Sequence, residues 1–261
     1  MDLGIENNAA LVTASTSGLG LASAKSLVRE GANVTICGRT EDRLATAEEE
    51  LLAIDGGDVL AVQADITQDE EIAALVEETV DTFGSLDHVV TSAGGVPSGP
   101  FLEMNDDNWY SAYDLLVMSH VRAVREAYPY LAESNSGSIT AITSTSVKEA
   151  IDGLILSNAV RRAVIGVIKT VSRELSPEVR ANAVLPAAHE TPRIEDLITQ
   201  ALDRGEYDNY GEGLDDWSSD IPMNRIGDPA ELGDVVAFLS SPRASFVNGA
   251  SIPVDGGRMR S

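Results

Sequence analysis

The sequence predicts an α/β domain in which a parallel sheet is doubly wound by helices, and three observations predict it. Short apolar, β-branched runs alternate with amphipathic segments along the whole chain. The runs are continuously apolar, as strands buried on both faces must be. No linker, internal repeat or low-complexity tract divides the 261 residues, a length that suits one large domain with an ample core.

Taken in order, AALVTA (9–14) reads as the first strand and leads through a small-residue turn into the amphipathic helix GLGLASAKSLVREG. ANVTIC (32–37) is the second strand, followed by the helical segment TEDRLATAEEELLAI. DVLAVQA (58–64) and DHVVTSA (87–93) are strands flanking the helix DEEIAALVEETVDTFG. A long helical segment spans about 106–133, and GSITAITS (137–144) follows as a strand. LSNAVRRAVIGVIKTVSREL is a helix, VRANAVLP (179–186) a strand, PAELGDVVAFLSS a helix and ASIPV (250–254) the last strand. Strand and helix taking turns call for parallel pairing with helical crossovers. The stretch 192–226 departs from this rhythm, being acidic, with Gly, Tyr and Trp and no strand pattern. It reads as a helical lid inserted over the carboxyl edge of the sheet, where ligands bind in such folds.

Charge narrows the partners. Forty-two acidic residues face eighteen basic ones, a formal net charge of −24, and only Lys25, Lys148 and Lys169 are lysines. Such a surface repels nucleic acid and anionic membrane, so neither is expected as a partner. An acidic excess with so little lysine suits a salt-rich, halophilic cytoplasm, where screening removes self-repulsion. No apolar run approaches a bilayer span. The start MDLGIENNAALVTAS has neither a basic flank nor an apolar signal core, and Cys37 is the single cysteine. Both point to a reducing cytoplasm. No residue cluster suggests a metal.

TASTSGLG, Thr13 to Gly20, is a strand–turn–helix junction ending in Gly18 and Gly20. Its geometry presents backbone N–H groups to a pyrophosphate, the device of the Rossmann fold, although an ordinary tight turn would need no ligand. Ala14 stands where glycine is usual. From here the chain resembles the short-chain dehydrogenase/reductase family, in colinear order over almost its whole length. Asp65 in QADITQDEE resembles the family's adenine-contacting aspartate, with Ile66 beside it. TSAGG (91–95) resembles the Asn-Asn-Ala-Gly segment, with Thr91 and Ser92 for the asparagines and Ala93 and Gly94 retained. VRANAVLP leads to Pro186, and Thr191 stands where the family places a threonine near the nicotinamide amide. Residues 224–257 match the family's C-terminal pattern. The resemblance implies a dinucleotide held by Thr13, Ser15, Ser17, Gly18, Leu19, Gly20, Arg39, Asp65, Ile66, Ala93, Gly94, Arg161, Pro186 and Thr191. ICGRTEDR has Arg39 at the end of the second strand and no acid until Glu41. A carboxylate there would bind a ribose diol, whereas arginine suits a 2′-phosphate, so NADP(H) is favoured over NAD(H). Pairing of Arg39 with Glu41 or Asp42 is the structural alternative.

The chemical end is where the sequence departs from the pattern. The family uses tyrosine, lysine, serine and asparagine to pass a proton to the oxygen that gains charge. Ser144, in ITST, matches the serine. Counting from there and from AVIGVIK puts Ser157 in the tyrosine position and Arg161 in the lysine position, and the helix WYSAYDLLV puts Leu116 in the asparagine position. No register slip restores the phenol, because no tyrosine lies between Tyr130 and Tyr207. Lys148 and His189 are candidate substitutes, the first on the loop above the sheet edge and the second on the loop after Pro186. Each reads more readily as an ordinary polar loop residue, solvated in the case of Lys148. Tyr207 and Tyr210 could contribute only if the lid folded inward.

The expectation is a divergent member resembling the 3-oxoacyl-carrier-protein reductases, acting with NADP(H) on a small-molecule carbonyl or alcohol. The rival is a nucleotide-binding sensor or scaffold without turnover. The resemblance also implies a homo-oligomer, a tetramer or dimer joined through the long helices.

Overall fold

The computed structural model describes residues 2–260. Seven strands form one parallel sheet in the order β3-β2-β1-β4-β5-β6-β7. They are β1 (Ala9–Val12), β2 (Asn33–Gly38), β3 (Val59–Gln63), β4 (His88–Thr91), β5 (Ser138–Ile142), β6 (Arg180–Pro186) and β7 (Ser251–Val254). The order reverses between β1 and β4, which opens a crevice at the carboxyl edge. Every predicted strand is present, β2 shifted by one residue and the others shortened where the loops begin.

Helices cover both faces. On one side lie α1 (Gly18–Arg29), α2 (Glu41–Leu52) and α9 (Pro229–Ser240). Their core takes Ala10, Val12, Val34, Ile36, Val90 and Val184 from the sheet. On the other lie α3 (Asp69–Phe83), α4 (Asp106–Tyr113), α5 (Ser119–Glu133) and α6 (Ile155–Glu174). That core takes Leu11, Val89, Ile139, Ala181 and Ala183, the alternate residues of the same strands. A strand side chain points to the opposite face from its neighbour, so both sets must be apolar and the run reads as continuous. Pro253 in β7 has no N–H to give, which the sheet's edge tolerates.

The long segment 106–133 is one helical run with a defect. Asn105 caps α4 in a reciprocal bond with Asn108, and a π turn at Asp114–Met118 separates α4 from α5. The segment 192–226 forms two helices, α7 (Pro192–Asp203) and α8 (Tyr210–Ser219), instead of strands. Ile194, Leu197, Ile198, Ile221 and Ile226 give it a small core of its own, against which Leu214 and Trp217 pack.

Candidate functional site

A cleft of about 540 Å³ runs along the carboxyl edge of the sheet, under α7 and α8. Its first wall is the turn after β1. Ser17, Gly18, Leu19 and Gly20 line it, and Thr16 joins them. Thr13 and Ser15 depart from expectation, because both are buried outside the cleft. The Thr13 hydroxyl donates to the Ser92 carbonyl at 2.7 Å and accepts the Ser92 N–H at 2.9 Å. The Ser15 hydroxyl donates to the Val12 carbonyl at 2.7 Å and accepts the Cys37 N–H at 3.0 Å. They tie the turn to its neighbouring strands. A ligand bond would compete with these closed pairs.

The turn is tight enough to dictate residue types. A Cβ on Gly20 would stand 2.7 Å from the Ala14 carbonyl oxygen, so only glycine lets α1 start there. Ala14 itself has φ +46°, the left-handed region that favours glycine. Ser17 caps α1 without a side-chain bond, and no acid occupies the first turn. The first N–H groups of α1 and the positive end of its dipole therefore have no partner from their own cap.

Along the cleft, Asp65 and Ile66 follow β3, and Ser92, Ala93 and Gly94 follow β4. One Asp65 carboxylate oxygen accepts the Thr67 N–H at 3.0 Å and hydroxyl at 2.8 Å. Arg39 and Arg43 are exposed and line the same end. Among the described residues neither enters an ion pair, so Arg39 is not matched to Glu41 or Asp42.

At the opposite end Ser144, Ser157, Arg161, Pro186, His189 and Thr191 line the cleft together. Ser144 accepts the Ser146 N–H at 3.1 Å, which fixes the hydroxyl at the end of β5. The Ser157 Oγ lies 3.3 Å from the buried Ser146 Oγ. Arg161 donates weakly to the Gly94 carbonyl at 3.5 Å. Burial and then the nearby Arg193 charge push its guanidinium down to about 10, still cationic at neutral pH. Thr191 starts α7, its hydroxyl donating to the His189 carbonyl at 3.3 Å. No tyrosine lines the cleft.

Leu116, the residue counted into the asparagine position, is buried in the core, while its neighbour Leu115 lines the cleft. The π turn carries one extra residue per loop of helix and rotates the register locally. Either way the side chain is apolar and orders no water.

The candidate substitutes fare unequally. Lys148 is exposed and lies outside the cleft. Tyr207 donates to Asp216 at 2.7 Å, and burial with that carboxylate pushes its phenol up to about 12. Neither Tyr207 nor Tyr210 lines the cleft. His189 lines it, but its ring packs against Gly227, whose Cβ would fall 2.7 Å from Cδ2. Nδ1 lies 3.0 Å from the Ala187 carbonyl, so Nδ1 carries the hydrogen. Burial lowers its pKa against the opposing pull of that bond and of Glu231 and Asp228. A neutral imidazole turned toward Gly227 is a poor acid at pH 7.

Several lining residues escaped the sequence reading: Thr16, Arg43, Arg193, Trp217 and Arg258. Arg193 has the most chemistry. From α7 it reaches across to donate to the Val96 carbonyl at 2.9 Å. Its place two residues after Thr191 was the available signal. Thr91 was likewise unreadable, since its hydroxyl pairs with Nδ1 of buried His120 at 2.7 Å.

A family model described as enoyl-(acyl carrier protein) reductase matches residues 13–258. The 3-oxoacyl-[acyl-carrier-protein] reductase FabG of Staphylococcus epidermidis is 30% identical over 253 residues, 96% of this chain and 98% of that one. The uncharacterized oxidoreductase YvrD of Bacillus subtilis is 30% identical over 265 residues and covers both chains fully. Among solved structures, L-sorbose reductase of Gluconobacter frateurii, complexed with NADPH and L-sorbose, superposes with TM-score 0.94 at 29% identity over 100% of both chains. A variant of actinorhodin polyketide ketoreductase with NADPH superposes with TM-score 0.90 at 29% identity, over 97% of this chain and 98% of that one.

Proposed function

This chain belongs to the short-chain dehydrogenase/reductase family, and from that premise we propose that it is an NADP(H)-dependent oxidoreductase interconverting a small carbonyl compound and its alcohol. One observation carries the reading: a single cleft joins a phosphate-binding turn to two hydroxyls and a guanidinium. The fit to a dinucleotide rests on the uncapped start of α1 and on the close approach at Gly20. Gly94, whose Cβ would meet nothing within 4 Å, leaves the middle of the cleft open. Arg39 and Arg43, cationic and free of ion pairs among the described residues, suit a 2′-phosphate better than a ribose diol. When bound, NADPH supplies the hydride.

The chain's own residues do the rest. Ser144 holds the carbonyl oxygen, with its hydroxyl free to donate while its lone pair accepts from Ser146. Ser157, paired with Ser146, is a second hydroxyl on the same wall. Arg161 keeps its charge beside them and stabilises the oxygen as it becomes negative. No phenol delivers the proton, so it comes from water entering the open cleft. That route is slower than a positioned acid by about 10²–10⁴. The helix pair 192–226 acts as the lid over this end. Exposed Phe101, Leu102, Tyr110 and Tyr113 around α4 suit a homo-oligomer, and the acid-rich surface suits a cytoplasm of high salt.

The test is direct. In molar KCl, NADPH binds more tightly than NADH, and a panel of ketones, aldehydes and 3-oxoacyl thioesters oxidises it slowly, followed by absorbance. Tight NADPH binding without oxidation by any of them favours the sensor reading.

A further inference from the structure

The charge in the cleft runs against the charge of the chain. Five arginines line it, Arg39, Arg43, Arg161, Arg193 and Arg258, against two acids, Asp65 and Asp196. The protein as a whole carries −24. Arg39 and Arg43 sit at the end assigned to the cofactor's phosphate. The other three remain unexplained by it, and two of them stand near the reacting hydroxyls.

Arg161 and Arg193 reach the same stretch from opposite walls, α6 and α7. Each gives a hydrogen bond only to a backbone carbonyl, Gly94 at 3.5 Å and Val96 at 2.9 Å. A guanidinium carries five N–H donors in a planar fork, so both have donors to spare. Among the described residues neither has a carboxylate within ion-pair distance. Asp196 is near enough to favour the Arg193 cation but not to pair with it. Two like charges facing one another in a half-buried cleft repel, and each depends on desolvated N–H groups finding an acceptor. An anion between them removes both penalties. Around it the walls are apolar: Ile151, Leu154, Ile194, Leu197 and Trp217. A ligand matching this arrangement is an anion with a short hydrocarbon part.

We propose that the substrate is a small oxo acid or hydroxy acid whose carboxylate is anchored by Arg193, with Arg161 supplying the second positive charge. The inference rests on the oxidoreductase reading for its carbonyl, but the anion site stands on geometry alone. Its competitor is the cofactor's own pyrophosphate, an anion that the same guanidinium groups could take.

The experiment separates the two sources. Protein saturated with NADP⁺, at constant KCl, is titrated calorimetrically with malonate and with its neutral isostere malonamide. Malonate binds at least about tenfold more tightly, equivalent to about 1.4 kcal/mol. Arg193→Met reduces that ratio at least fivefold, while the NADPH dissociation constant moves less than threefold. Gly95→Ala provides a second route, because its methyl would come within 2.8 Å of the Arg193 guanidinium atoms and displace them. It lowers the ratio without touching the charge. Arg204→Met, which breaks an exposed pair with Glu206 that does not line the cleft, keeps the ratio and controls for net charge. Equal affinity for malonate and malonamide overturns the proposal. So does malonate competing with NADPH, or Arg193→Met weakening NADPH tenfold, either of which assigns the guanidinium to the cofactor. Malonate selectivity retained in a protein inert toward every carbonyl supports the anion site while the oxidoreductase reading falls.

Discussion

Replacing Ala14 with glycine should stabilise this protein, against the usual direction of an Ala→Gly change. Ala14 sits at φ +46° in the turn between β1 and α1. A left-handed conformation costs an L-residue about 1–2 kcal/mol, because Cβ crowds the following carbonyl. Glycine removes that strain but loses about 0.5–1 kcal/mol through the greater freedom of the unfolded chain. The difference leaves Ala14→Gly more stable by about 0.5–1 kcal/mol. For a chain of this size 1 kcal/mol moves the midpoint by about 2–4 °C, so Tm should rise by about 1–4 °C. The matched control is Ala45→Gly, at an exposed position inside α2. There the same substitution costs about 1 kcal/mol. Scanning calorimetry of the three proteins at fixed KCl, with a urea titration to check the sign, reads both. If both variants lose stability to the same extent, Ala14 is not strained and the account of the turn is wrong.

Further outcomes follow from the same structure. Moving from molar KCl to dilute buffer should unfold the protein, because 42 carboxylates against 18 cations lose their screening; an unchanged Tm across that range refutes the salt-dependent reading. Burial holds His88 and His120 neutral, each pushed down to about 4, with Asp87 opposing and Arg180 adding to the effect at His88. A histidine with a depressed folded-state pKa stabilises fully above its unfolded value near 6.5 and loses that contribution as pH falls toward about 4. Across that window each should cost about 1.4 kcal/mol per pH unit, and His120→Asn should flatten the measured slope by about one proton. Ser157→Tyr combined with Arg161→Lys should raise kcat at least about tenfold, since a positioned acid contributes about 10²–10⁴; no gain, with the fold intact by circular dichroism, argues that the cleft no longer presents substrate to that wall. Lys148→Ala should leave kcat/KM within twofold, because the side chain lies outside the cleft.

The sequence by itself determined the architecture and the lack of a tyrosine on β5 and the helix that follows it. Continuous apolar runs can be buried on two faces only between two layers of helix, so strand, crossover and parallel order follow from local pattern alone. The absence of a tyrosine between Tyr130 and Tyr207 is equally secure, since no fold can supply a side chain the chain does not have. Tertiary structure decided what each remaining side chain touches. Within one turn Thr13 and Ser15 close on neighbouring backbone while Thr16 opens to the cleft, a choice set by strands β2 and β4 rather than by residue type. The π turn stands where Leu115 faces the cleft and Leu116 the core, the contact with Gly227 turns the His189 ring, and α7 carries Arg193 across to Val96. Periodicity reports which face of an element is apolar. It is silent on partners many residues away, and those partners decide the chemistry of the cleft.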